Sequence, residues 1–167
     1  PPPPPPPPPH LFFFTPNPAT PLLSGLVGSE MCIRDRCMPE PCVGAVLFWK
    51  GALLLVQRGH EPGAGLWSLP GGRLEPRETW QDAVQREVKE ETCLEVRCGA
   101  LVGWVAREAS GRRYLIADFL ATTDDASAAV PGDDAQNLAF VEPRQIDSLE
   151  LTEGLQEFLL QYQVLRF

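Results

Sequence analysis

From Cys42 onward, apolar residues fall into short blocks. Residues 42–49, CVGAVLFW, form an unbroken apolar run of strand length; Lys50-Gly51 interrupts it and ALLLVQ (52–57) resumes it. Two such runs around a turn dipeptide predict a buried β-hairpin. The following RGHEPGAGLWSLPGG is punctuated by Gly and Pro, as expected of a loop that carries functional groups on a rigid scaffold. The period then changes. Trp80, Val84 and Val88 recur every four residues and predict a helix to about Thr92 with one buried stripe. Thr79 is placed to cap its start, with Asp82 three residues on. Further strands are predicted over Val96–Val105, Tyr114–Ala121 and Leu138–Val141, and a closing helix over Thr152–Tyr162 on the apolar face of Leu155, Phe158 and Leu159. Strands interspersed with two helices point to an α/β or α+β sandwich, without an internal repeat.

Residues 1–37 have a different character. Nine prolines open the chain, and such a tract forms an extended helix that buries nothing. The segment is therefore expected to be disordered, with one domain spanning 38–167; a ligand for an SH3-type domain is the competing reading of the prolines. LVGSEMCIRDR (26–36) resembles a translated sequencing-adaptor read found in front of unrelated reading frames, which places the expected natural start near Met38.

Composition narrows the classes further. With 167 residues, 44% of them hydrophobic, the chain can build a sheet with a real core. A net charge of -8 opposes nucleic-acid binding, which depends on Lys and Arg neutralising phosphates. Cys32, Cys37, Cys42, Cys93 and Cys98 have neither a disulfide framework nor zinc spacing, so reduced thiols are expected. No apolar run reaches the roughly 18 residues a membrane span needs, and a basic leader is missing. The expectation is a cytoplasmic protein without membrane partners.

The predicted helix concentrates like charge. Glu87 faces both Glu90 and Glu91 at helical spacing, and Glu95 follows. At 100° per residue these carboxylates border the buried stripe, a rim position that favours a cation over a purely solvated acidic face. Gly71 and Gly72 lie just ahead, where a backbone without side chains can approach a ligand or ion closely.

Taken together, Gly72, Glu78, Arg86, Glu87, Val88, Glu90, Glu91 and Leu94 fall in register with the Nudix box, G-x5-E-x7-R-E-U-x-E-E-x-G-U with U aliphatic. The chain thus resembles a Nudix hydrolase from about Cys42 to Gln161. Two positions depart from the pattern: Cys93 replaces the second glycine of the box, and Arg77 replaces a glycine common in the loop before the helix. The resemblance implies an α/β/α sandwich with a mixed central sheet. It also implies a pyrophosphohydrolase that cleaves a nucleoside diphosphate linked to another moiety, whether ADP-ribose, a nucleotide sugar or a nucleoside triphosphate. The alternative is a noncatalytic nucleotide-binding or regulatory module of the same fold. By resemblance Glu87, Glu90, Glu91 and the carbonyl of Gly71 hold Mg²⁺ or Mn²⁺, while Arg86 and Glu78 pair and orient them. Glu87 or a loop carboxylate serves as base, with Asp134 preferred to Asp133. Asp118 is read as a strand-edge aspartate facing solvent. Arg58 and Arg73 are the expected phosphate-binding cations, Trp67, Trp104 and Tyr114 the candidate stacking rings, and His60 a surface residue. A homodimer is compatible with the family. The proline that ADP-ribose members carry beyond the box is missing from REASGRRY (107–114), and the NADH and coenzyme A signatures are missing too.

Overall fold

The computed structural model describes residues 38–166. The expectations for residues 1–37, including Cys32 and Cys37, lie outside them.

The first hairpin forms as its pattern predicts. Strand β1 (Glu40–Trp49) turns at Lys50 and Gly51, whose φ angles of 52° and 83° suit a tight two-residue turn, into β2 (Ala52–Arg58). β1 then diverges from β2. Their register is confined to Phe48 with Leu53 and Trp49 with Ala52, after which the loop following Leu69 takes the vacated edge. Val43 and Ala45 donate to the carbonyls of Gly72 and Pro70 at 2.8 and 2.9 Å. The opposite edge of β1 pairs in parallel with β5 (Arg112–Thr122), which pairs antiparallel with β4 (Arg97–Ala109). The short β3 (Trp67–Ser68) and β6 (Ala135–Val141) flank β2. The sheet is therefore mixed, as expected.

Helix α1 (Trp80–Thr92) covers one face. Its Ala83, Val84 and Val88 join Val43, Ala45, Leu47, Ala117 and Phe119 in one core. Helix α2 (Leu155–Gln161) covers the other through Leu155, Phe158 and Leu159, which pack with Val46, Leu53, Leu55 and Ile146. Alternation along β1 and β2 sends successive residues to these two cores, which gives the α/β/α arrangement. The α2 helix starts later than the predicted Thr152 because Gly154 adopts φ 73°, which a right-handed helix cannot continue through. No helix among the described residues is long and apolar enough to cross a membrane.

The β4–β5 hairpin is longer than its pattern suggested. It runs past Val105 to a Ser110-Gly111 turn, with φ 52° and 72°, and returns from Arg112. The solvent-facing reading of Asp118 is overturned. β5 lies between β1 and β4 rather than at an edge, and Asp118 is only 4% exposed.

Candidate active site

The acidic site is assembled by α1 and the loop before it. Thr79 caps α1 as predicted: its Oγ1 accepts from the Asp82 amide at 3.1 Å and donates to Asp82 Oδ2 at 2.6 Å. At the other end Cys93 adopts the left-handed conformation (φ 59°), and its amide donates to the Lys89 carbonyl at 2.9 Å. The missing box glycine is therefore replaced in sequence while its backbone geometry is kept. Arg77 likewise adopts φ 73°.

Arg86 organises the carboxylates. Its Nε and one terminal nitrogen donate to the two oxygens of Glu78 at 2.8 and 2.9 Å, a fork-to-fork pair. The other terminal nitrogen reaches Glu87 Oε1 at 2.9 Å and Glu90 Oε2 at 3.0 Å. A further bond at 3.0 Å to the Arg73 carbonyl ties the helix to the loop. The Arg86 hydrogen bonds hold the Glu78 carboxyl below its usual range. The pairing of Arg86 with Glu78 expected from the sequence is thus present in atomic detail.

Glu91 is anchored differently. It accepts from the Gly71 amide at 2.9 Å, and burial pushes its carboxyl up to about 7 despite that bond, with Glu87 and Asp134 adding to the rise. Glu87 is also raised, first by burial and then by neighbouring carboxylates, against the lowering by Arg86. A Cβ on Gly72 would lie 2.4 Å from Glu87 Oε1, so a side chain there would displace that carboxylate from its bond with Arg86. At Gly71 a Cβ would lie 2.1 Å from the Val43 carbonyl oxygen.

The other predicted site residues surround this centre at its margins. Arg58 acts electrostatically on Glu91 while its Nε donates to the Pro62 carbonyl at 2.9 Å. Arg73 pairs with Glu40 at 3.1 Å, and Arg112 reaches the same carboxylate at 3.0 Å. Asp134 is exposed, 3.9 Å from the exposed His60, and near enough to Glu91 to raise its carboxyl. Its loop is fastened to the end of α1, because Val130 and Gly132 donate to the carbonyls of Thr92 and Glu91 at 3.1 and 2.9 Å. Asp133 is exposed in the same loop. Of the aromatic candidates, Trp104 packs edge-on against Trp80 at 5.5 Å, Trp67 lies half-buried in the α2-side core, and Tyr114 is half-buried opposite Arg107.

Among the described residues, no group of three His, Cys, Asp or Glu side chains is already gathered to hold an ion. Arg86 and the Gly71 amide occupy the carboxylates instead. The donor set nevertheless fits a hard divalent cation. Glu87 and Glu91 are desolvated, mutually repelling carboxylates, and Mg²⁺-type ions take such oxygens while retaining waters.

Carboxylates spread over two turns of a helix, bound by an arginine fork and facing a glycine loop laid against a mixed sheet, define a Nudix-type site. Residues 38–162 match the NUDIX domain family, and the chain belongs to that family. It is 41% identical over 71 residues to the CTP pyrophosphohydrolase of Escherichia coli (strain K12), an alignment covering 42% of this chain and 53%, about half, of that protein. It is 30% identical over 119 residues to the nucleoside triphosphatase NudI of Enterobacter sp. (strain 638), covering 62% and 82% of the two chains. The crystal structure of the MutT NUDIX hydrolase from Burkholderia pseudomallei superposes with a TM-score of 0.66 at 28% identity, over 74% of this chain and 98% of that one.

Proposed function

We propose that this Nudix hydrolase cleaves the phosphoanhydride of a nucleoside triphosphate or a related nucleoside diphosphate derivative. The observation that carries the reading is the intact carboxylate network around Arg86, with Glu91 anchored on the Gly71 amide across the helix. The triphosphate is favoured because both aligned relatives described above bear names for enzymes acting on nucleoside triphosphates.

In this reading Glu87, Glu90, Glu91 and the Gly71 carbonyl hold Mg²⁺ or Mn²⁺. Such an ion, when bound, neutralises charge on the phosphoryl oxygens and acidifies water. Arg86 and Glu78 keep the carboxylates in position, the supporting role on which site affinity depends. Arg58 and Arg73 offer their remaining N–H groups to the phosphates. Water attacks one phosphorus, the bridging P–O bond breaks, and the water's proton passes to a carboxylate, Asp134 on its tethered loop or Glu87. The nucleotide leaves with one phosphate-bearing product. The protein acts on small nucleotides in the cytoplasm rather than on nucleic acid, and a homodimer is compatible with this reading.

The test is product release from a panel of nucleoside triphosphates and diphosphate derivatives with Mg²⁺, Mn²⁺ or chelator. Metal-dependent cleavage of a member supports the enzyme. A folded, metal-binding protein that cleaves none overturns the reading in favour of a noncatalytic binding module.

A further inference from the structure

One buried charge takes no part in the chemistry above. Asp118 stands in the middle of β5, 4% exposed, and points away from α1, because its neighbours Ala117 and Phe119 fill the α1-side core. Its carboxylate lies over Gly44, the residue beside it in β1: a Cβ on Gly44 would come within 2.0 Å of Oδ1. The carboxylate accepts no hydrogen bond from the described residues, and its electrostatic partner is Arg107.

Arg107 is the complementary half. It lies opposite Tyr114 in the β4–β5 ladder, on the same face as Asp118, and its Nε is buried without a hydrogen-bond partner. Burial lowers its pKa. Asp118, Glu153 and Glu157 oppose that fall, and Arg58 reinforces it. The guanidinium reaches Gly154, where a Cβ would lie 3.3 Å from a terminal nitrogen. On the other side of Asp118, the ring of Tyr162 covers its register partner Gly103, where a Cβ would lie 2.2 Å from the ring.

This cluster adjoins the acidic site. A Cβ on Gly71 would sit 2.7 Å from the Gly44 Cα, so the backbone beneath the Asp118 carboxylate touches the loop that anchors Glu91. Arg58 acts on both Glu91 and Arg107. β5 and the loop strand lie on either side of β1, which separates them by two strand spacings, about 10 Å. A ligand with its phosphates at the acidic helix can therefore extend its other end over this face.

Leaving a buried guanidinium nitrogen without a hydrogen bond costs free energy that a matching ligand recovers, and the Asp118 carboxylate beside it has no protein donor among the described residues. The carboxylate calls for adjacent N–H donors, and the guanidinium for a carbonyl. We propose that Asp118 and Arg107 read the substrate's base and select a guanine-type edge, with ring N–H and exocyclic amino group on the Asp118 carboxylate and the carbonyl on Arg107. The inference rests on the pyrophosphohydrolase reading. Burial pushes the Asp118 carboxyl up to about 7, so its accepting form dominates in a mildly alkaline assay. The charged group acting on it is Arg107 of β4, which in turn feels Arg58 of β2, Glu157 of α2 and Glu153 just before that helix.

The experiment compares kcat/KM of the full chain for GTP, ATP, CTP and UTP with Mg²⁺ at about pH 8.5, where an acid of pKa about 7 is ionised. GTP should lead by roughly 10–100-fold, the discrimination a bidentate base contact provides. Asp118→Asn, whose amide offers one donor and one acceptor, should erase that lead. Arg107→Lys, which loses the planar fork, should erase it also and serves if Asp118→Asn does not fold. Equal use of the four bases, or a lead unchanged in a folded variant, overturns the inference while leaving the hydrolase reading intact. If none of the four triphosphates is cleaved, the triphosphate reading fails, and calorimetric binding of GMP against CMP decides the base site. A GMP preference lost in the variants sustains it, and no preference overturns it.

Discussion

Gly71 and Glu91, twenty residues apart, are joined by a 2.9 Å hydrogen bond from the glycine amide to the carboxylate. This bond fixes the glycine loop to the last turn of α1. It partly offsets the burial that pushes the Glu91 carboxyl up to about 7. Glu91→Gln retains an oxygen that can accept from Gly71 but loses the charge. Its turnover should fall about 100-fold or more, beyond the loss typical of groups that merely support a metal site, with little change in melting temperature. Steady-state rates at saturating Mg²⁺ test this, and a near-native rate would remove Glu91 from the chemistry.

Arg86 acts through other residues. It joins Glu78, Glu87, Glu90 and the Arg73 carbonyl in one set of bonds that a lysine cannot reproduce. Arg86→Lys should cut activity or Mg²⁺ affinity by about 10–100-fold. A Mg²⁺ titration of rate separates the two effects, and a variant with native activation would show that the network is dispensable.

Two of the residues flanking α1 hold backbone conformations that suit glycine. Cys93 and Arg77 have φ of 59° and 73°. Cys93→Gly and Arg77→Gly should each stabilise the protein by about 1 kcal/mol, the strain a side chain meets in that region. Thermal unfolding should show the gain with kcat unchanged. A lower melting temperature would mean that chain-entropy loss outweighs the relieved strain.

Asp118 makes stability depend on pH. Its carboxyl is raised to about 7 in the folded chain, against an ordinary value near 3.8, so between those values the folded state holds a proton that the unfolded state has released. Stability therefore falls as pH rises through this window, and the penalty is complete above about 7. Asp118→Asn removes the titration. Its stability relative to the native chain should increase from pH 4 to pH 7 by on the order of 1–4 kcal/mol and then level off. Glu153 and Glu157 remain to face Arg107 in the variant. Denaturant unfolding across that range checks it, and a difference independent of pH would contradict the assigned burial.

Local chemistry made much of this molecule legible from its sequence. Thr79, the four-residue repeat to Val88 and the Lys50-Gly51 turn located α1 and the first hairpin because caps, helical period and turn dipeptides are short-range signals. The box spacing likewise brought Glu78, Arg86 and the glutamates of α1 together on one helix and its approach. The parallel pairing of β1 with β5 was not legible, since it joins Gly44 to Asp118 across the whole first half of the domain. Asp118 was misread for that reason: a lone charge in an apolar run looks like an edge position until the strands on both sides are known. Arg107 was passed over as well, although Ser110-Gly111 is a turn dipeptide that could have extended the hairpin to include it.

The bonds from Val130 and Gly132 to the last carbonyls of α1 have a kinetic consequence. A segment whose amides are spent on a helix end cannot swing as an independent lid. Opening it exposes the carbonyls of Glu91 and Thr92, so the loop and the final helical turn come apart as one unit. In hydrogen exchange the Val130 and Gly132 amides should therefore follow the protection of the Lys89–Thr92 turn, and Asp134 moves only when the helix that carries Glu91 frays.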